Sequence, residues 1–297
     1  MRRSINILAG LSLFFSCQAQ QKQVSLPVNK DNNSLLWEVS GKGLKQHSYL
    51  FGTFHMMCKD DVQFSDQLKT AVGSASTVYM ELDMDDPALM LSGMMMMTMK
   101  GGKKLTDFYS KEEYRKIETF FKDSLSAPLS FLQTMKPFML VALLYPKMMP
   151  CKTVSGVEEE LMKLVKAQKK EIKGLETMEL QAAVFDSIPY EEQAKELLKS
   201  IDSMAANKNN FDTMMNVYKS QQINEIENLF SKSEAGIKDH LDLLLNNRNK
   251  NWVAQLKTII KTTPVFVAVG AGHLVGKQGL IALLRKEGYT VQPLLNQ

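Results

Sequence analysis

Apolar runs at both ends of the chain predict buried β-strands. At the front, LLWEVSG (35–41) and HSYLFGT (47–53) predict two strands joined by a glycine-containing turn. At the back, TPVFVAVG (263–270) is a continuous apolar run of the kind found in strands buried on both faces. A helix over 276–287 follows, and YTVQPLL (289–295) predicts another strand.

Between these ends the pattern favours helices. A helix at 65–75 precedes the predicted strand STVYMELDM (76–84), and a long methionine-rich helical region comes next. Within that region, Met94 to Met97 form a consecutive run. Thioethers can bind Cu(I), but consecutive side chains on a helix point in all directions, so we interpret the run as adaptable packing in a helical lid.

The next segments continue the helical insertion. SGVEEELMKLVKAQKK (155–170) predicts a helix, with Ser155 three residues before Glu158 at the spacing of a capping box. EIKGLET (171–177) predicts a short strand leading to a helix, and further helices fill 178–262. The middle of the chain is therefore predicted to be largely helical.

The two ends form an internal repeat. SYLF-GTFH, a helix and TVYMELD at the front match FVAV-GAGH, a helix and TVQPLL at the back. Right-handed crossovers would make the strands of each unit parallel and bring His55 and His273 to carboxyl ends of strands, where open α/β sheets bind ligands. We therefore predict an α/β fold whose central, mostly parallel sheet is built from two related strand-GxxH-helix-strand halves, with a large helical insertion.

The repeat assigns two of the chain's four histidines to matching positions. Glycine permits a tight departure from each strand, so a ligand could approach His55 or His273 closely. The alternative is that each histidine only hydrogen-bonds a nearby carbonyl group.

Carboxylates occur in the front half of the repeat. Glu81 lies near the end of a buried strand, where a glutamate needs a partner or a cation, and Asp83 shares its face if the strand continues. The back half has Gln292 instead. Two imidazoles and one carboxylate are a familiar set for a divalent metal that lowers the pKa of bound water.

Arg248 is unusual for its position in the sequence. It shares a helical stripe with Leu244, Leu245, Trp252 and other apolar residues. An arginine that points inward needs an anionic partner, such as a carboxylate of the ELD segment or a substrate oxyanion. The alternative is an arginine at the edge of the stripe whose guanidinium reaches water.

Composition limits the classes of partner. A chain of 297 residues can form one large domain or two small ones, and 44% hydrophobic residues suffice for a sizeable core. The net charge of +4 arises from 36 basic and 32 acidic residues scattered along the chain, which argues against a nucleic-acid partner.

The N-terminus predicts export from a bacterial cytoplasm. Residues 1–17 have the layout of a secretory signal, and 18–34 form a polar, flexible tether. Either Cys17 becomes lipidated or a CQA cleavage site releases a soluble protein. We favour the lipoprotein, so we expect a periplasmic, outer-membrane or cell-surface protein that contacts the membrane only through its signal or lipid anchor. In an oxidising compartment, Cys58 and Cys151 can form a disulfide, the alternative being two buried thiols.

Several of these segments together resemble the TraB/GumN family. They are LFGTFHM with ELDMDDP, GLETMELQ (174–181), NNRNKNW and VFVAVGAGHLVGKQGLIALLRKEGYTV, which together cover about residues 35 to 297. That family includes the Tiki proteins, metal-dependent proteases that inactivate Wnt ligands. The resemblance implies a single domain over 35–297, with an α/β core akin to the erythromycin-esterase and ChaN haem-binding group.

The resemblance also implies roles for individual residues. His55, His273 and Glu81 correspond to the metal centre, whose divalent ion would be Mn, Co, Zn or Fe. Glu81 also corresponds to a catalytic group, Arg248 matches the family's arginine and Glu176 its GLE glutamate. We expect Arg248 to stabilise an oxyanion, whereas Asp83 or Glu176 takes over the role of base if Glu81 is a tight metal ligand.

Three functions remain open at this point. The first is an exported metal-dependent hydrolase, a peptidase, that acts on a peptide or small-molecule substrate. The second is a metal-free hydrolase in which a histidine and Glu81 activate water directly. The third is a protein that binds and sequesters a peptide or haem without turnover.

Overall fold

The computed structural model describes residues 25–232 and 238–297. The predicted signal sequence, 1–17, lies outside the described residues, as does the first part of the predicted tether. In the described remainder of the tether, Val28 forms an isolated bridge with Leu294.

A six-stranded sheet forms the centre of the fold, in the order β6-β4-β7-β2-β1-β8, and β3 pairs separately with β5. The strands are β1 Leu36–Ser40, β2 Ser48–Thr53, β3 Met57–Cys58, β4 Thr77–Met80, β5 Val154–Ser155, β6 Glu171–Gly174, β7 Val265–Gly270 and β8 Thr290–Pro293. The pairings β2–β7, β7–β4 and β4–β6 are parallel, whereas β1 runs antiparallel to both β2 and β8. The predicted mostly parallel sheet is therefore confirmed, as is the β1–β2 hairpin.

Helices pack on both faces of the sheet and build the insertion. They are α1 Asp66–Ser74, α2 Pro87–Met96, α3 Lys111–Leu125, α4 Pro137–Ala142, α5 Tyr145–Met148, α6 Val157–Ala167, α7 Met178–Asp186, α8 Tyr190–Asp202, α9 Met204–Lys219, α10 Ile223–Lys232, α11 Asn247–Thr262 and α12 Leu280–Lys286. No helix among the described residues has the length and apolarity needed to cross a membrane.

The side chains of β7 alternate between two hydrophobic cores. Phe266 and Ala268 join the core under α1 and α6, whereas Val267 and Val269 join the core under α11 and α12. A strand covered on both faces needs apolar residues at every position, which explains the continuous run in the sequence.

The helical insertion has a core of its own, separate from the sheet. Residues of α3, α4 and α8 pack together there, among them Phe121, Leu140 and Leu197. Cys58 and Cys151 form the predicted disulfide, which links β3 to the loop before β5 across 93 residues of sequence. The bond therefore ties the loop that follows β2 to the end of the insertion.

Three local predictions are wrong. The strand predicted over 76–84 ends at Met80, because Asp83 begins a turn and Asp86 caps α2 at its proline. The helix predicted over 276–287 begins only at Leu280, after Gly276 adopts the left-handed conformation with φ of 79°.

The third wrong prediction is the capping box of Ser155 and Glu158. Ser155 belongs to β5, and α6 begins at Val157 with Gly156 as its N-cap. Glu158 is free of a capping role because its carboxylate faces His55 instead. Glu158 is therefore a residue of the candidate site.

Candidate active site

Three neighbouring parallel strands deliver the predicted site residues to one edge of the sheet. His55 lies two residues beyond β2, Glu81 directly follows β4, and His273 follows β7, which lies between these two strands. In the register of the sheet, Thr53 pairs with Gly270. The two GxxH motifs therefore leave adjacent strands side by side, as the repeat predicts.

Glu81 is a buried carboxylate with three hydrogen-bond donors. Arg248 Nη2 lies 2.6 Å from Glu81 Oε2, and the backbone N–H of Gly270 donates to Oε1 at 2.9 Å. The amide of Gln181 donates to Oε2 at 3.2 Å. Donors thus surround the carboxylate and favour its anionic form.

Arg248 joins this carboxylate to a second one. Its Nη2 donates to Glu176 Oε1 at 2.6 Å, and its Nε approaches both oxygens of the same carboxylate. Its Nη1 donates to the carbonyl of Leu244 at 2.8 Å, and the guanidinium rests on the ring of Trp252. Arg248 therefore points inward, and its carboxylate partners are Glu81 and Glu176.

His273 is buried against the same arginine. Its Nδ1 lies 2.6 Å from Asn249 Oδ1, while the Asn249 amide nitrogen donates to the carbonyl of Gln278. Because the amide oxygen can only accept, Nδ1 carries the proton and Nε2 keeps a lone pair. That nitrogen lies 3.2 Å from Arg248 Nη1 and 3.8 Å from Glu81 Oε1.

His55 is held differently, at the surface. Its side chain is 77% exposed, and its Nδ1 lies 2.8 Å from Glu158 Oε1. The same carboxylate oxygen accepts a hydrogen bond from Thr53 Oγ1 at 2.6 Å. The N–H of Val157 donates to the carbonyl of Phe54, so the start of α6 is fixed beside His55.

These environments move the pKa values of the two histidines in opposite directions. The hydrogen bond to Glu158 raises the pKa of His55 to about 9. Burial lowers the pKa of His273 to about 3, against the attraction of Glu81. Near neutral pH, His55 is therefore charged and His273 is neutral.

The pKa of Glu81 reflects competing effects. Burial alone would raise it, but the interactions with His273, Arg248 and His55 and the Gly270 N–H lower it to about 2. Glu81 is consequently anionic throughout the physiological range.

A family model described as the TraB/PrgY/gumN family matches residues 35–293. The chain belongs to this family. The match spans the sheet and the helical insertion, and it confirms the resemblance inferred from the GxxH, ELD and GLE segments. No curated protein and no solved structure matches the chain.

In this TraB/PrgY/gumN family member, the predicted metal ligands His55, His273 and Glu81 do not converge on one metal position. Across residues 25–232 and 238–297, no group of three or more His, Cys, Asp or Glu side chains is arranged to hold a metal ion. The guanidinium of Arg248 contacts both Glu81 and His273, two of the three predicted ligands. This arrangement does not fit a bound metal, and the predicted metal stays a prediction.

Three residues of the site were not predicted from the sequence. Glu158 holds His55, Asn249 holds His273, and Gln181 bridges Glu81 and Glu176 with hydrogen bonds of 3.2 Å. Gln181 and Asn249 lie within the GLETMELQ and NNRNKNW segments, so those segments contained a signal. Glu158 had a competing explanation as a helix cap.

Proposed function

We propose that this TraB/PrgY/gumN family member is a hydrolase that cleaves peptide bonds with water at the edge of the sheet. The observation that carries the proposal is the pairing of an exposed, charged imidazole with a buried anion. His55 presents a proton at the surface beyond β2, and Glu81, at the end of β4 on the same edge of the sheet, is held as a carboxylate by Arg248. Acid and base roles are assigned best where neighbouring groups have pKa values pushed apart.

The groups divide into a proton donor and proton acceptors. Glu158 occupies Nδ1 of His55, so the Nε2–H of the imidazolium remains available to a substrate. Glu81 and the Nε2 lone pair of His273 are the acceptors for a proton from water. Arg248 is a positioning residue, because it contacts both acceptors and fixes them relative to each other.

In the proposed reaction, the water oxygen attacks the carbonyl carbon and its proton passes to Glu81 or His273. The negative charge that develops on the carbonyl oxygen is stabilised by the charged His55. Breakdown of the tetrahedral intermediate breaks the C–N bond, and the leaving amine takes a proton from His55. The proton held by the acceptor then passes through solvent to the neutral His55, which restores the starting charges.

None of these steps uses a metal. If a divalent ion binds, His55, His273 and Glu81 are the residues that would hold it, and Arg248 would first have to leave two of them. Metal dependence is therefore one of the outcomes that the test must separate.

We also propose that the protein works outside the cytoplasm, as its N-terminal segment predicts. The Cys58–Cys151 disulfide supports this proposal, because disulfides persist in oxidising compartments. Its substrate would then be an extracytoplasmic peptide or protein.

The test is a peptide-library digest analysed by mass spectrometry, with wild type and Glu81→Gln, each with a chelator or with added Mn, Co, Zn or Fe. We expect wild type to cleave in the presence of chelator and Glu81→Gln to lose at least about 100-fold in rate. Glu38→Gln is the control, because Glu38 is a buried glutamate of β1 that pairs with a histidine, His47, and lies near the opposite end of the sheet.

The other outcomes identify the competing functions. Cleavage that stops with chelator and returns with one metal would contradict the metal-free steps while retaining the hydrolase. Intact peptides that nevertheless bind tightly would identify a binding protein. A visible absorption band after incubation with haem would identify a haem-binding protein.

A further inference from the structure

A small cavity adjoins the ion-pair cluster. It has a volume of about 170 Å³, and Arg248 and Glu176 form part of its lining. These two side chains also contact each other and, through Arg248, Glu81. A group bound in the cavity would therefore lie next to the proposed reaction centre without occupying it.

Most of the remaining lining is apolar. Leu180 and Val184 lie one turn apart on α7, and Leu243 and Trp252 belong to the segment that carries Arg248. Leu180 is 61% exposed, so the lining extends to the protein surface. Apolar side chains on separate helices thus form a lining suited to an apolar group.

Backbone geometry contributes to this lining. A π-helical turn over Asp242–Asn246 leads directly into α11. It contains Leu243, which lines the cavity, and Leu244, whose carbonyl accepts a hydrogen bond from Arg248. Single π-helical turns within helices occur frequently at functional sites.

The size of the cavity limits its occupant. Pockets that enclose whole drug-sized ligands measure about 300–1,000 Å³, so this cavity is too small for such a ligand. Apolar cavities of about 150 Å³ hold a benzene-sized molecule. The cavity therefore has room for one side chain of about that size, with the rest of the substrate outside.

One residue of the lining, Trp252, is distinctive for its indole N–H. Its side chain is almost fully buried, yet its indole N–H has no acceptor among the described residues. Buried donors in native proteins nearly always have a partner. By contrast, the chain's other tryptophan, Trp37, donates to the carbonyl of Ser34 at 2.7 Å.

We infer that this cavity is a specificity subsite that accepts a large aliphatic side chain, such as leucine, of a peptide substrate. The inference rests on the proposed function for its catalytic meaning. Trp252, which lines the cavity, would contact that side chain. Asn247 and Asn251, one turn apart on α11, line the same cavity and can bind the peptide backbone.

The binding test requires no turnover. With ¹⁵N-labelled tryptophan, the protein gives two indole signals, from Trp37 and Trp252. N-acetyl-L-leucine amide should shift the Trp252 signal saturably and leave the Trp37 signal in place, whereas N-acetylglycine amide should shift neither. Val184→Phe, which fills the cavity, should abolish the response.

A second variant provides a test in case Val184→Phe does not fold. Leu180→Gln removes an exposed apolar side chain at the cavity and should weaken leucine-amide binding at least about tenfold. Phe131→Gln is its matched control, because Phe131 is 83% exposed and does not line the cavity, and it should bind as wild type does. An unmoved Trp252 signal, or equal binding by Leu180→Gln and Phe131→Gln, would overturn the subsite.

Kinetics separates the two proposals. If wild type cleaves peptides, Val184→Phe should reduce the ratio of kcat/KM for leucine over glycine substrates at least about tenfold. An unchanged ratio would overturn the subsite while the hydrolase stands. If wild type cleaves nothing, the hydrolase fails, and the indole titration alone decides whether the cavity binds leucine.

Discussion

The two GxxH motifs have the same position in the repeat but different surroundings. His55 is exposed and paired with Glu158, a residue of the insertion, whereas His273 is buried and paired with Asn249 on α11. Each partner hydrogen-bonds the Nδ1 atom of its histidine, so in both motifs Nε2 is the nitrogen left for other contacts. They differ in charge, because the hydrogen bond to Glu158 raises the pKa of His55 whereas burial lowers the pKa of His273.

The glycines of the motifs differ as well. A Cβ atom at Gly52 would lie 3.1 Å from atoms of Ala271 and Leu274, so this glycine permits the two motifs to pack against each other. A Cβ atom at Gly270 would lie 3.3 Å from Glu81 Oε1, and the N–H of Gly270 donates to that oxygen. The same sequence motif thus serves packing in one half and carboxylate binding in the other.

The largest loss of stability should come from removing Arg248, which bridges Glu81 and Glu176. Arg248→Ala leaves the carboxylates of Glu81 and Glu176 without their shared cation, so we expect the free energy of unfolding to fall by about 3–5 kcal/mol. Urea unfolding followed by circular dichroism measures it. Arg285→Ala, at an exposed arginine bonded to the Val291 carbonyl, is the control. A loss below about 1 kcal/mol for Arg248→Ala would show that the cluster is not a buried ion pair.

The next largest loss of stability should come from removing the disulfide, which lies on the His55 side of the site. Cys58→Ser with Cys151→Ser should cost about 2–4 kcal/mol and loosen the β3–β5 pairing that brings Glu158 to His55. The measurement is the urea midpoint of wild type and the double variant, each with and without reductant. Reductant should destabilise wild type only. If it destabilises neither protein, the two cysteines are free thiols.

Truncating each histidine compares the two halves directly. His273→Ala leaves a cavity and removes the partner of Asn249, so we expect a loss of about 1–3 kcal/mol in unfolding free energy. His55→Ala should change stability by less than about 0.5 kcal/mol, because the side chain is exposed. Thermal and urea unfolding of both variants provide the comparison. Equal losses would contradict the assigned difference in burial.

The smallest effect should be the pH dependence that Glu158 imposes on stability. The folded-state pKa of His55, about 9, exceeds its ordinary value, so the stabilisation is complete below about pH 6.5 and disappears as the pH rises through 9. Solvent screens this exposed pair, so we expect at most about 0.5 kcal/mol. Glu158→Gln should therefore lose more stability relative to wild type at pH 6 than at pH 10. Equal losses at both pH values would contradict the pairing.

The sequence predicted the parts of the fold that depend on periodicity and repetition. Apolar runs and the repeat located β2, β4 and β7, and with them the sheet edge that carries His55, Glu81 and His273. Contacts between distant elements were not predictable in this way. The spacing of Ser155 and Glu158 fits a helix cap equally well, and only the β3–β5 pairing shows that Glu158 serves His55 instead.

The site also shows what residue types alone do not determine. Two histidines and a glutamate predicted a metal centre, but the guanidinium of Arg248 contacts two of these three groups. The sequence placed Arg248 on an inward stripe without fixing how far its side chain reaches. Arg248 Nη1 donates to the Leu244 carbonyl within the π-helical turn before α11, and the apolar pattern contains no distinct signal for that turn.

The central claim is that His55 is charged and His273 is neutral near neutral pH. Its most direct test is an NMR titration of the four histidines, assigned with His55→Ala and His273→Ala. We predict that His55 titrates with a pKa of about 9 and that His273 stays neutral down to about pH 3. Glu158→Gln should return the pKa of His55 towards about 6.5, its ordinary value. If His55 and His273 both titrate near pH 6.5 in wild type, the proton donor and the neutral acceptor are not distinct, and the proposed division of the site is wrong.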